Sequence, residues 1–98
     1  MAAISVRCDG SREGGWVCLV TLGEDGRDIS SHRVRVGAAD LDRLAPGSAE
    51  PAALVEASFA FLLARESPQM ILRSFELSEI GRYFPSYESD IRRRAGEP

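Results

Sequence analysis

The segment WVCLVTLGEDGRDISSHRVRV, Trp16 to Val36, decides the fold because it holds two strand patterns separated by a turn signal. Its first part, about 16–22, is apolar at nearly every position, as in a strand with contacts on both faces. In its last part, about 29–36, valines alternate with arginines, which predicts a strand with one buried face. The acidic and glycine residues between the two parts favour a hairpin.

The length of the turn decides which face of this hairpin is buried. A two-residue Asp25-Gly26 turn would place Val34 on the face of Val17. A three-residue turn that also includes Glu24 would place Val34 opposite Trp16. We favour the three-residue turn, because one face then collects the apolar residues of three strands. That face comprises Ile4, Val6, Trp16, Cys18, Val20, Val34 and Val36.

The remainder of the chain adds one strand and several helices. Alternation near the start predicts a strand over about 3–8, before a loop rich in glycine. Beyond Val36 the apolar period becomes helical, and it predicts a main helix over about 51–66. Shorter helices are predicted over about 68–73, 78–84 and 86–94. The expected architecture is a single α+β domain, 1–98. An N-terminal three-stranded antiparallel meander has the main helix and the short C-terminal helices packed on one face.

Composition excludes several kinds of chemistry. The chain has no lysine, one histidine and two cysteines. Without lysine there is no Schiff-base chemistry and no phosphate-loop lysine. One histidine and two cysteines separated by ten positions do not form a multi-histidine or four-thiolate metal site. We therefore expect no catalytic residues, no cofactor and no metal, and we expect that the protein is not an enzyme. Because lysine and asparagine codons are AT-rich, their absence indicates a GC-rich bacterial genome.

Charge and hydropathy bear on partners and location. The formal net charge is -3, which disfavours nucleic-acid binding because that binding depends on neutralising phosphates. No apolar run approaches the roughly 20 residues of a membrane span, and the N-terminus does not resemble a signal peptide. A cytoplasmic location with reduced thiols is the expectation. In the favoured register Cys8 and Cys18 lie diagonally, which also disfavours a disulfide.

His32 and a C-terminal aromatic cluster are the candidate sites for ligand binding or catalysis. In the favoured register His32 lies opposite Cys18, which would allow a Cys–His pair. A histidine in phase with buried valines is more often hydrogen-bonded within the core, and we expect that role for it. The aromatic cluster (Tyr83, Phe84 and Tyr87) has the helical spacing that packing alone would produce.

The outward face of the sheet is the candidate interface. An apolar centre with an arginine rim is typical of protein interfaces. The residues expected on this face are Arg7, Val17, Leu19, Thr21, Ile29, Arg33 and Arg35. A second candidate surface is a flanking stripe of the main helix, formed by Phe59 and Leu63.

Three motifs in the second half of the chain resemble a known set of proteins. They are SFAFLLARE within 58–66, ILRSF at 71–75 and RYFP at 82–85. The series is similar to that of short bacterial proteins sharing SFxFLLxRE, ILxxF and RYFP motifs, to which no activity is assigned. The resemblance implies a small bacterial protein, and it transfers no catalytic residue.

These observations favour a non-enzymatic protein-interaction module, acting as a homodimer or as an accessory subunit of a larger complex. The alternative is a small-ligand-binding or catalytic domain that uses His32 and Cys18 or the aromatic cluster. A third hypothesis is a weak nucleic-acid binder that uses the arginines of the sheet and Arg92–Arg94. We expect a protein partner or a second copy of the chain, and no membrane.

Overall fold

A computed structural model describes residues 3–95, and its architecture is α+β, as predicted. Four strands form one sheet in the order β1-β2-β3-β4. The strands are β1 (Ala3–Ser11), β2 (Gly15–Glu24), β3 (Arg27–Val36) and β4 (Ser74–Glu76). The helices are α1 (Ala38–Leu44), α2 (Ala52–Leu63), α3 (Ile80–Tyr83) and α4 (Tyr87–Ala95), and short 3₁₀ turns span Pro68–Met70 and Leu77–Glu79. Within residues 3–95, no helix has both the length and the apolar character needed to span a bilayer.

The fourth strand corrects the prediction of a helix over 68–73. Ser67-Pro68 does begin a helical turn, but that turn ends at Met70 and the chain then becomes extended. The Arg33 N–H donates to the Arg73 carbonyl oxygen over 2.7 Å, and β4 continues parallel to β3. This pairing joins residues about 40 positions apart, so local periodicity gives no sign of it.

The turn between β2 and β3 has two residues, so the favoured three-residue turn is wrong. Asp25 and Gly26 both have positive φ, 52° and 77°, as a tight hairpin of this kind requires. The predicted buried face is nevertheless correct, because the pairing shifts between Gly23 and Leu22 and leaves Ile29 as an extra residue. One inserted residue reverses which face each following residue occupies. Cys18, for example, lies opposite Val34.

The two cysteines form a disulfide, which corrects the expectation of reduced, diagonal thiols. Cys8 lies directly opposite Cys18, and the two sulfurs are bonded. β1 and β2 extend further toward their connection than predicted, so the register differs by two residues from the one favoured above. A shift of two residues keeps every side chain on its face and changes only its partner. The buried face was therefore predictable, whereas the pairing of the cysteines was not.

Both stripes of α2 are buried, which corrects the proposal that Phe59 and Leu63 form an outer surface. Phe59 is 0% exposed, and its ring lies 5.4 Å from His32 of the sheet. Leu63 is half-buried and packs against the core. The other stripe of α2 contacts the C-terminal segment through Phe61, whose ring lies 5.3 Å from Tyr87. α2 is thus covered on two sides by residues of its own chain.

Candidate functional site

The face of the sheet that points away from the helices carries an apolar centre. We call this surface the outer face. Leu19 of β2 is 48% exposed and its neighbour Val17 is 40% exposed. Both lie in the middle of a three-strand antiparallel ladder, because β1 and β3 flank β2. The outer face comprises Ser5, Arg7, Asp9, Val17, Leu19, Thr21, Ser31, Arg33 and Arg35.

Register places Leu19 between two arginines. Leu19 lies opposite Arg7 on β1 and opposite Arg33 on β3. Neither arginine forms a salt bridge with any residue of the described 3–95 segment. Directly opposed side chains on adjacent strands lie about 5 Å apart at Cβ, so the aliphatic stems of the arginines flank the leucine. The result is an apolar residue bordered by two cations that are free to bind an anionic group.

The next row of the outer face has mixed charge. Val17 lies between Asp9 and Arg35, and Arg35 reaches Glu76 of β4 at 3.9 Å. A third row, centred on the half-buried Thr21, is uncharged, because serines flank it on both sides. Among these three rows, arginines without a salt-bridge partner in the 3–95 segment are therefore confined to the row of Leu19.

One residue predicted for this surface lies elsewhere. Ile29 is the extra residue of the bulge; it is half-buried and packs against the core. The prediction assumed uninterrupted alternation along β3, and the bulge reverses that alternation before Ser30. The structure therefore brings together the predicted residues Arg7, Val17, Leu19, Thr21, Arg33 and Arg35, and excludes Ile29.

His32 is a core histidine, and both of its ring nitrogens have partners. It is 2% exposed, its Nδ1 lies 2.7 Å from the Leu72 carbonyl oxygen, and its Nε2 lies 2.9 Å from Ser30 Oγ. A carbonyl oxygen only accepts, so Nδ1 donates to Leu72, and Nε2 is hydrogen-bonded to the Ser30 hydroxyl. Cys18 is bonded to Cys8, so it is not a thiol. The Cys–His pair that would serve nucleophilic catalysis is therefore not formed.

The structure divides the aromatic cluster between the core and the surface. Tyr87 is fully buried, and its hydroxyl lies 2.6 Å from Ser58 Oγ. Burial raises the pKa of Tyr87 to about 12, against the lowering effect of that hydrogen bond. Ser58 Oγ also donates to the Leu54 carbonyl oxygen at 2.8 Å. Tyr83, by contrast, is 67% exposed, so the three aromatic side chains do not form one ligand site.

Tyr83 borders a groove that sequence reasoning missed. The groove encloses about 260 Å³ between the end of α2, the 68–72 segment and α3. Its exposed apolar residues include Met70 and Leu72, at 69% and 51% exposure, and its carboxylates are Glu66 and Glu79. Its other residues are Leu62, Ile71, Phe75, Ile80, Phe84 and Tyr83 itself. The sequence signal is three consecutive apolar residues at 70–72 outside a long helix, which the helical interpretation of 68–73 obscured.

Within residues 3–95, no three side chains of histidine, cysteine, aspartate or glutamate are grouped so that they could hold a metal ion. Comparison with protein families, curated proteins and solved structures found no match to this chain. The resemblance of the second half to short bacterial proteins accordingly stays a prediction.

Proposed function

We propose that this protein is a small, non-enzymatic protein-interaction module whose contact surface is the outer face of the sheet. Its partner presents an apolar residue bordered by carboxylates. The observation that carries the proposal is the row in which Arg7 and Arg33 flank the exposed Leu19.

The energetics of this row favour a protein partner. Covering Leu19 and Val17 removes exposed apolar surface from water, which stabilises the complex by roughly 25 cal/mol for each Å² buried. Guanidinium groups bind carboxylates through two parallel hydrogen bonds, and such bonds strengthen when water is excluded. Arginine is enriched among the residues that dominate binding energy at interfaces. An acidic, apolar partner would therefore use both features of the row.

Other features weigh against nucleic acid as the partner. Asp9 and Glu76 lie beside the arginines and would repel phosphates. The net charge of the chain is -3, and its electrostatic field does not attract a polyanion.

A cytoplasmic location stays a prediction. The Cys8–Cys18 disulfide weighs against it, because reducing compartments keep most thiols reduced.

Charge insertion on the outer face tests the proposed function. Val17→Asp with Leu19→Asp places two carboxylates where the partner's apolar residue would lie, so we expect loss of the proteins captured by the tagged chain. Ala49→Asp with Gln69→Asp is the matched control, because it adds the same charge to exposed positions that lie outside the sheet. Capture followed by mass spectrometry, at low and high salt, provides the measurement. Retention of the same partners by the first variant would contradict the proposal.

A second candidate function, ligand binding, is favoured by the groove. Its apolar lining and its two carboxylates, Glu66 and Glu79, match a small ligand with an apolar body and one cationic group, such as an amine. Such a ligand would raise the melting temperature of the wild-type chain and raise that of Glu66→Gln less. A panel of apolar amines that leaves the melting temperature unchanged would rule this function out.

A further inference from the structure

The two edge strands of the sheet differ greatly in length. β4 forms one edge with three residues, whereas β1 forms the other with nine. β1 contains no proline, and its pairing with β2 has no register shift. Long, regular, unpaired edges are uncommon, because their backbone groups pair readily with another strand.

The direction of the backbone groups of β1 follows from the opposite edge. Arg33 donates its N–H to Arg73, so the backbone groups of Arg33 point toward β4. Because these groups alternate along a strand, those of Val34 point toward β2 and pair with Cys18. The next residue of β2, Leu19, must then point its backbone groups toward Arg7 of β1.

The same alternation turns the backbone groups of Val6 and Cys8 away from β2. The Cα atoms of Cys8 and Cys18 are 4.0 Å apart, which agrees with the narrow pair that exchanges no backbone hydrogen bonds. Across residues 3–95, no strand and no loop backbone group bonds to this side of β1. β1 therefore presents an ordered row of free donors and acceptors.

The charges on β1 are suited to pairing with an identical strand. Arg7 and Asp9 point to the outer face, and neither forms a salt bridge within the described residues. An antiparallel copy of β1 centred on Arg7 would oppose arginine to arginine, and one centred on Asp9 would oppose two carboxylates. Centring on Cys8 places each Arg7 opposite Asp9 of the second copy, which forms two ion pairs.

We propose that a second copy of this chain binds along β1, antiparallel, with Cys8 opposite Cys8 of the second copy. In this register the outward backbone groups of Val6 and Cys8 meet their counterparts, and the Arg7–Asp9 pairs occupy the narrow positions where side chains are closest. The two sheets become one continuous sheet. The Cys8–Cys18 disulfide holds β1 on β2 beforehand, which lowers the entropy lost when the edge binds.

The dimer axis is perpendicular to the sheet, so both copies present the outer face on the same side. The two Leu19 rows would then lie on a single surface of twice the width. This inference does not depend on the proposed function, because it rests on the edge of the sheet and not on Leu19.

Charge reversal at Asp9 tests the dimer. In the Asp9→Arg variant, Arg7 of each copy faces the new arginine of the other copy, so both ion pairs become repulsive. Given the energies of cross-strand charge pairs, we expect the dimer dissociation constant to rise by at least about tenfold. Arg7→Asp with Asp9→Arg recreates both pairs with exchanged partners and should restore the wild-type constant. Asp28→Arg is the matched control, since it makes the same exposed substitution on β3, which β2 separates from β1. Sedimentation equilibrium over a wide concentration range measures the constants, and circular dichroism confirms that each variant is folded.

A wild-type chain that is monomeric at every concentration would overturn the proposal. So would a dimer that Asp9→Arg leaves intact, or a folded double variant that does not regain dimerisation. Arg33→Asp separates this proposal from the proposed function, because it should impair partner capture and leave the dimer unchanged.

Discussion

The two faces of the sheet use their polar groups in opposite ways. On the core face, both ring nitrogens of His32 are occupied by Ser30 and Leu72. On the outer face, Arg7 and Arg33 border an exposed leucine and have no salt-bridge partner within residues 3–95. The histidine is conspicuous in the sequence, but its hydrogen-bonding capacity is used for folding. The arginines stand out only when the strand register places them on either side of Leu19, and their guanidinium groups are available to bind a partner.

The largest expected effect comes from truncating the core side chain that was a candidate interface residue. Phe59→Ala removes a fully buried ring that packs between His32 and Phe75, so it should lower the free energy of unfolding by about 3–5 kcal/mol. Met70→Ala is the control, because Met70 is 69% exposed. Urea denaturation measures both variants. A loss below about 1 kcal/mol for Phe59→Ala would mean that Phe59 does not pack in the core.

An intermediate effect is expected from Tyr87 at high pH. The unfolded chain releases the tyrosine proton at the ordinary pKa of 10.0, whereas the folded chain holds it up to a pKa of about 12. The contribution of Tyr87 to the free energy of unfolding is fully present below pH 10. It is lost as the pH rises toward 12, and the total loss is about 2–3 kcal/mol.

Urea denaturation at a series of alkaline pH values checks this loss against Tyr87→Phe. The variant lacks the ionisable hydroxyl, so its stability should fall less steeply over the same range. Equal slopes for the two proteins would show that the Tyr87 hydroxyl is not buried beside Ser58.

The smallest effect on stability is expected on the outer face. Val17→Thr with Leu19→Thr places a β-branched side chain at both strand positions while removing exposed apolar surface, so stability should change by less than about 0.5 kcal/mol for each substitution. Partner capture should nevertheless weaken. A large loss of stability would place these side chains in a core and remove the distinction between the two faces.

Local pattern predicted the faces of the strands better than their partners. Alternation assigned Trp16 and Val34 to the buried face, and that assignment survived an error in the turn. The actual turn is one residue shorter than predicted, and a bulge at Ile29 compensates for it. The two one-residue changes add to a shift of two residues, which leaves the face unaltered because the side-chain period of a strand is two.

The features that local pattern missed all depend on non-local contacts. β4 exists because Phe75 and its neighbours pair with β3, and Cys8 reaches Cys18 only when the ladder has its actual register. The groove arises because the end of α2, residues 70–72 and α3 come together around it. Each of these contacts joins residues of different elements. Hydrophobic periodicity and helix-capping signals, which are local, therefore do not predict them.

The sequence by itself determined the α+β class, the three-stranded meander and its buried face, because burial imposes a period of two on strands and one near four on helices. Tertiary structure alone decided the register, and the proposed function rests on that register. It places Leu19 between Arg7 and Arg33, joins Cys8 to Cys18, and leaves β1 as a free edge. The physical reason is that hydrophobic burial specifies which face is covered, whereas backbone pairing between distant strands specifies which residues meet.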